Sequence, residues 1–117
     1  MPKRYKSARE AAFKAQGGRC CYCNLPMWRS SPEELAPLGI RARTANPLRC
    51  TAEHLVAKRD GGGGGRVNIS AACWLCNTRR HRRKNPPDPK TYREFVQRRM
   101  AKGGWHCLGS NLTRRNT

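Results

Sequence analysis

Apolar residues recur at helical spacing in two segments, one near each end of the chain. In residues 5–16, alanines at positions 8, 11, 12 and 15 form a weak apolar stripe, and Gly17-Gly18 supplies a stop. In residues 88–102, Asp88 and Pro89 form a helix start, and the apolar positions fall three or four residues apart at Tyr92, Phe95, Val96 and Met100. The pattern predicts a helix in each segment.

The middle of the chain predicts strands followed by another helix. Residues 48–56 and 67–71 are typical of short strands. A helix is expected over residues 74–84, because Asn85-Pro86-Pro87 ends the pattern there. Residues 29–47 are rich in Pro and Ser and are interpreted as an insertion, with one or two helical turns at residues 32–38. The prediction is a small α+β fold in one domain spanning residues 1–117.

Composition adds a difficulty, because the chain has few residues with which to build a core. Leu, Ile, Val and Phe together account for 15 of the 117 residues, and the net charge is +18. Such values are typical of disorder unless a metal or disulfides stabilise the fold. The seven cysteines are the candidates. We find no secretory leader and no apolar run of bilayer length, so we expect a cytoplasmic protein whose thiolates bind zinc.

The charge imbalance points to a polyanionic partner. There are 25 Lys and Arg residues against 7 Asp and Glu residues, and nucleic acid is the polyanion that such a surface most often binds. A membrane surface is the alternative. It would require a basic helix with a broad apolar face, and no segment has one.

Two cysteine pairs predict a structural zinc site. Cys20-x2-Cys23 and Cys73-x2-Cys76 are separated by forty-nine residues, and two such pairs make a closed, four-thiolate tetrahedral site. Redox activity is the less favoured interpretation of the two pairs. The other cysteines are expected to be small buried residues, although a pairing that uses Cys50 or Cys107 as a ligand stays open; they are Cys21, Cys50 and Cys107.

Between the cysteine pairs lies a set of polar residues that predicts a catalytic centre. Glu53 and His54 are adjacent at the end of the first predicted strand, and a run of five glycines follows at residues 61–65. Such a loop can approach a phosphate backbone closely. Asn68 is on the second predicted strand, and Asn77 directly follows the last cysteine of the zinc pairs. A strand end can twist so that Glu53 and His54 reach one pocket.

The string EHLVAKRDGG…NISAACWLCN, with CYC upstream, resembles the zinc-containing, four-cysteine branch of the His-Asn-His (HNH) nucleases. The resemblance implies a ββα-metal core over about residues 18–85, with the insertion at about 29–47. The predicted helices near the two ends, the second at about 88–102, would flank this core. The family implies an endonuclease that cuts DNA phosphodiester bonds in a bacterial or phage-encoded setting.

The same resemblance assigns roles to individual residues. His54 would be the general base, and Asn68 would brace the loop and help to orient it. Glu53 and Asn77 would hold one divalent cation, Mg²⁺ or Mn²⁺, distinct from the zinc. The acid is commonly Asp in this family, so Glu53 is a departure. Asn77 stands where His is also found, and His81, one helical turn later, is a further candidate ligand or phosphate contact.

Basic residues crowd the same region and predict a DNA-binding surface. The expected contacts are Lys58, Arg59, Arg79, Arg80, Arg82, Arg83 and Lys84. Further positive charge follows on the last predicted helix, at Arg93, Arg98, Arg99 and Lys102. We expect the three tryptophans to pack in the core or zinc knuckles rather than against bases; they are Trp28, Trp74 and Trp105.

The sequence leaves three functions to be weighed. An endonuclease that acts on double-stranded DNA is favoured. Two copies of the chain would have to pair to cut both strands. A non-catalytic, zinc-stapled nucleic-acid-binding module accounts for the charge and the cysteines, but it has no need of Glu53-His54 beside Asn77. An RNA-directed nuclease would use the same residues.

Overall fold

A computed structural model describes residues 5–57, 61–65 and 67–107. Two antiparallel strands form the sheet: β1 is Cys50–His54 and β2 is Ile69–Cys73. The α-helices are α1 (Lys6–Ala15), α2 (Trp74–His81) and α3 (Pro89–Ala101). The predicted small α+β fold is confirmed at this level. No helix in the described part of the chain combines the length and apolar character that a bilayer span requires.

The sheet register fixes which side chains share a face. Glu53 pairs with Ser70, and His54 pairs with Ile69. Helix α2 begins directly after β2, so its first turn lies beside the start of β1, where Cys50 pairs with Cys73. Because side chains alternate between the faces of a strand, Glu53 and His54 start towards opposite sides of the sheet.

The two flanking helices match their predicted segments to within one residue at each end. Helix α1 packs against both strands. Helix α3 buries Tyr92, Val96 and Met100, with Phe95 half-buried beside them, as the apolar spacing predicted. The Tyr92 hydroxyl donates to the Cys76 carbonyl oxygen at 2.8 Å, which ties α3 to the cysteine cluster.

The segment interpreted as an insertion contributes to the main core. It folds into three short 3-10 helices, Pro32–Leu38, Ala42–Thr44 and Asn46–Leu48. Ser31 caps the first, and Glu34 completes a capping box. Three of the segment's apolar side chains, Leu35, Ile40 and Ala45, are at most 3% exposed, and so is that of Leu48 directly after it. These residues supply apolar burial that the two-stranded sheet is too small to provide.

Candidate functional site

Four cysteine side chains converge beside the sheet. Cys20 and Cys23 lie on the turn after α1, Cys73 ends β2, and Cys76 is in the first turn of α2. Their sulfurs all lie within 4.8 Å of one another and are buried. The Cys23 and Cys73 sulfurs are 3.9 Å apart. Neighbouring sulfurs around a tetrahedral zinc ion, with Zn–S bonds of about 2.3 Å, are about 3.8 Å apart. The cluster therefore fits a metal ion such as zinc.

Backbone and indole N–H groups point at these sulfurs. Cys20 Sγ accepts from the amides of Tyr22 at 3.4 Å and Cys73 at 3.2 Å. Cys73 Sγ accepts from the amide of Cys76 at 3.4 Å, and Cys76 Sγ accepts from Trp105 Nε1 at 3.2 Å. Such donors stabilise thiolates, which are the form that binds metal.

The thiols cannot all ionise without a cation between them. Burial acts to raise the pKa of Cys20, but hydrogen bonds from the neighbouring thiols outweigh it and hold that pKa well below its ordinary value. Burial raises the pKa of Cys73 and Cys76 well above the ordinary value. A bound cation would stabilise the negative charge of all four sulfurs together.

The chain after α3 covers the cluster, which the sequence did not reveal. After a turn at Gly103, Trp105 and His106 return to the sulfurs and are 6% and 5% exposed. His106 Nε2 lies 3.7 Å from Cys73 Sγ, and burial lowers the pKa of His106 to about 4. The sequence signals were the Gly103-Gly104 stop, which allows the chain to turn back, and the expectation that Trp105 packs in the core or a zinc knuckle; His106 had none.

The remaining cysteines lie outside the cluster. Cys50 is buried, and burial raises its pKa to about 11. Cys21 is half-buried. Cys107 was expected to be buried, and that expectation is wrong, because the residue is exposed.

Glu53 is fully buried and enclosed by polar partners. Its Oε2 accepts from the Tyr22 hydroxyl at 2.8 Å and from Arg80 Nη1 at 3.2 Å. Its Oε1 lies 2.6 Å from His81 Nε2. Burial raises the pKa of Tyr22, so its hydroxyl stays protonated and donates. A buried carboxylate is tolerated only with such compensation.

Arg80 corrects one sequence expectation. It was assigned to the DNA-binding surface, but it is 3% exposed. Its guanidinium donates to the carbonyl oxygens of His54 and Leu55, each at 3.1 Å, and to that of Pro87 at 3.0 Å. Arg80 therefore holds the end of β1 and the Glu53 carboxylate, and it cannot contact a phosphate from this position.

Helix α2 brings two further candidate ligands to β1, one of which, His81, contacts Glu53. Asn77 and His81 are one turn apart on the same helix face. Asn77 Nδ2 donates to Thr51 Oγ1 at 2.9 Å and to the Ala52 carbonyl oxygen at 3.0 Å, so Oδ1 is its remaining polar atom. The His81 side chain is 29% exposed, which leaves this edge of the network accessible to solvent.

His54 lies on the α1 side of the sheet. Its ring packs edge-on against Tyr5, with the ring centroids 4.7 Å apart, and the residue is half-buried. The structure thus joins Glu53 to His81 and holds Asn77 against Thr51 and Ala52 of the same strand. It places His54 one residue further along the strand, next to a different helix.

Asn68 connects the chain just after β1 to the glycine loop. Its Oδ1 accepts from the Val56 amide at 2.8 Å, and its Nδ2 donates to the carbonyl oxygens of Val56 and Gly63 at 3.1 and 2.8 Å. The side chain therefore holds the end of β1 against the glycine loop. This geometry is what a residue that braces the loop requires.

The glycine loop is less permissive than its sequence suggests. We expect Gly62→Ala to lower both thermal stability and any cleavage activity, because its Cβ would overlap the Val56 carbonyl oxygen and lie 2.8 Å from Asn68 Nδ2. Gly63→Ala is the matched control, since a Cβ there meets no atom within 4 Å. Thermal unfolding of the two variants measures the difference. Equal melting temperatures would show that the Asn68 brace does not depend on close approach at Gly62.

The other basic residues of α2 and its C-terminal end are exposed, namely Arg79, Arg82, Arg83 and Lys84. Two of them lie over aromatic rings: the guanidinium carbon of Arg79 is 4.7 Å from the Trp105 ring centroid, and that of Arg83 is 4.7 Å from the Phe95 centroid. Lys58 and Arg59 lie outside the described residues. The exposed set forms a positive surface at the C-terminal end of α2.

Comparisons of this chain with models of protein families, with curated proteins and with solved structures found no match.

Proposed function

We propose that this protein is a metal-dependent endonuclease of the HNH type that hydrolyses DNA phosphodiester bonds. The ββα-metal core would be β1, β2 and α2. One observation carries the proposal: Glu53 contacts His81 at 2.6 Å, and Asn77, one helical turn before His81, bonds to Thr51 and Ala52 of the strand that bears His54. A module that only binds nucleic acid does not need a buried carboxylate such as Glu53 next to a partly exposed histidine such as His81.

The donor atoms fit a hard divalent cation. A carboxylate oxygen and an amide oxygen are ligand types that suit Mg²⁺ and Mn²⁺, whereas the imidazole nitrogen of His81 is a softer donor. Tyr22 and Arg80 both engage Glu53 Oε2, so Oε1 is the oxygen directed at His81. A cation bound here would neutralise charge on the phosphate and on the leaving 3′ oxygen.

His54 would act as the general base that takes a proton from the attacking water. Its backbone is held by Arg80 and its ring by Tyr5. The Asn68 brace begins two residues later, at Val56. A general base must be kept in a fixed orientation, and these contacts supply one.

DNA is the proposed partner because of the positive charge. The net charge is +18, and the exposed basic residues of α2 lie next to His81. Phosphate contacts release counterions, so binding should weaken steeply with salt. Double-strand cutting would need two copies of the chain, since one centre makes one nick.

A second candidate function is a non-catalytic, zinc-stapled DNA-binding module. The observation in its favour is that Tyr22, Arg80 and His81 satisfy Glu53 without any cation. Under this alternative the network only stabilises the fold.

The test of the proposal is nicking of supercoiled plasmid over a range of Mn²⁺ concentrations. We expect His81→Ala and Asn77→Ala each to raise the Mn²⁺ concentration for half-maximal nicking about tenfold or more. DNA retention on a gel should be unchanged, because neither variant removes a phosphate contact of the proposed surface. Thr78→Ala, between them on α2, is the control and should behave as the wild type.

Two results would contradict the proposal in different ways. Salt-sensitive binding without cutting under any cation would favour the non-catalytic module. If both variants cut DNA with an unchanged Mn²⁺ requirement, Asn77 and His81 would not be ligands of the catalytic cation.

A further inference from the structure

A small open pocket lies between the start of α2 and the last 3-10 helix of residues 29–48. Its volume is about 330 Å³, at the lower end of the range for ligand pockets. It is lined by Trp28, Asn46, Pro47, Arg49 and Trp74. Two indoles and a proline give it flat apolar walls, and Asn46 and Arg49 give it hydrogen-bond donors.

All three tryptophans were expected to pack in the core or zinc knuckles, and the structure corrects this for Trp74. Trp105 is buried, but Trp74 is 39% exposed. Trp28 is half-buried, and its Nε1 donates to the Ala45 carbonyl oxygen at 2.7 Å. The Trp74 amide donates to the Arg49 carbonyl oxygen at 2.8 Å. The Trp28 indole and the Trp74 backbone are therefore held in place before any ligand arrives.

The charge of the pocket selects a class of ligand. Arg49 is exposed, and within the described residues it forms no ion pair. No acidic residue lines the pocket. An aromatic wall beside an unpaired guanidinium suits a flat ring attached to an anion, which describes the nucleobase and phosphate of a nucleotide.

The pocket is aligned with the candidate cation site. Trp74, Asn77 and His81 occupy positions i, i+3 and i+7 of α2, so they share one helix face. Along the helix axis, Asn77 and His81 lie about 4.5 and 10.5 Å beyond Trp74. A stacked strand rises about 3.4 Å per nucleotide. A base at Trp74 would thus be one to three nucleotides from a phosphate near Asn77 and His81.

We propose that the pocket formed by Trp28, Arg49 and Trp74 binds an unpaired nucleobase of a DNA strand, with the base stacked on Trp74. The protein would then engage single-stranded or locally opened DNA along the face of α2. DNA as the polymer rests on the proposed function, whereas stacking of a base does not require that the strand be cut.

The test compares two strands that differ only in their bases. Zinc-loaded His54→Ala protein, which cannot cut under the proposed mechanism, is titrated with a labelled oligothymidine and with an abasic strand of the same length. We expect the wild-type pocket to favour oligothymidine. Adding Trp74→Ala should weaken oligothymidine binding about 5- to 150-fold and leave abasic binding unchanged. Trp74→Phe should keep most of the preference.

Leu38→Ala is the control, since Leu38 is an exposed apolar residue (55%) that does not line the pocket. Zinc content confirms that each variant is folded. Equal affinity of the wild-type pocket for both strands would overturn the proposal, as would an equal loss for both strands in Trp74→Ala. If the protein prefers oligothymidine while wild-type protein never nicks plasmid, the proposal that the pocket binds a base is supported and the nuclease proposal is contradicted.

Discussion

Cys73→Ser is expected to leave the chain unfolded at room temperature. Cys73 is fully buried, ends β2, and caps α2 by accepting from the Cys76 amide. Structural zinc binding is worth about 10–16 kcal/mol of folding free energy in small domains. A domain of this size is typically stable by only about 5–15 kcal/mol. The free energy lost when one thiolate ligand is removed is therefore comparable with the whole free energy of unfolding of the domain.

Far-ultraviolet circular dichroism and bound zinc per chain measure this effect. Cys107→Ser is the matched control, because Cys107 is exposed and lies outside the cluster. It should keep its zinc and melt as the wild type does. Removal of zinc by a chelator should reproduce the unfolding of Cys73→Ser. A Cys73→Ser chain with wild-type stability would show that the four sulfurs do not hold a structural metal.

His54→Ala is expected to lower plasmid nicking about 10²- to 10⁴-fold, the contribution typical of a general base. DNA retention should persist, because the exposed basic residues of α2 are unchanged. The loss should not come from unfolding, since His54 is half-buried at the end of β1 and the Arg80 contact there is to its backbone carbonyl.

Val56→Ala is the control for His54→Ala. Val56 is 52% exposed and two residues further along, and it contacts Asn68 through its backbone. Its variant should nick DNA at the wild-type rate. If His54→Ala lost DNA retention together with nicking, the assignment of His54 as the base would lose its support.

Much of the fold could be predicted because its signals are local. Gly17-Gly18 sets the C-terminal end of α1, and Asp88-Pro89 sets the N-terminal start of α3. In both places the backbone conformation that single residues favour determines where the helix stops or begins. Strand β2 begins two residues later than predicted and extends to Cys73. Its end is set by the cysteine cluster, which is a long-range contact that the strand's own residues do not encode.

The contribution of residues 29–47 to the core could not be predicted. Leu35, Ile40 and Ala45 are buried at a spacing of five residues, in and between the 3-10 helices. Neither helical nor strand periodicity applies to such a segment. Its burial depends on where the 3-10 turns fold against the rest of the chain.

The candidate site was only partly predictable for the same reason. Cysteine spacing identified the metal cluster, and the sequence singled out Glu53 and His81, whose side chains are in contact. Tyr22 and Arg80 were missed as partners of Glu53. Tyr22 is brought to the carboxylate from the turn between Cys20 and Cys23, and Arg80 is hidden within a run of basic residues that otherwise face solvent.

The most direct test of the nuclease proposal is relaxation of supercoiled plasmid by the zinc-loaded protein, with and without Mg²⁺ or Mn²⁺. The proposal predicts that nicked circles accumulate only when one of these cations is present. Salt-sensitive plasmid binding with no nicking under either cation would contradict the proposal, and Glu53, Asn77 and His81 would then be a purely structural network.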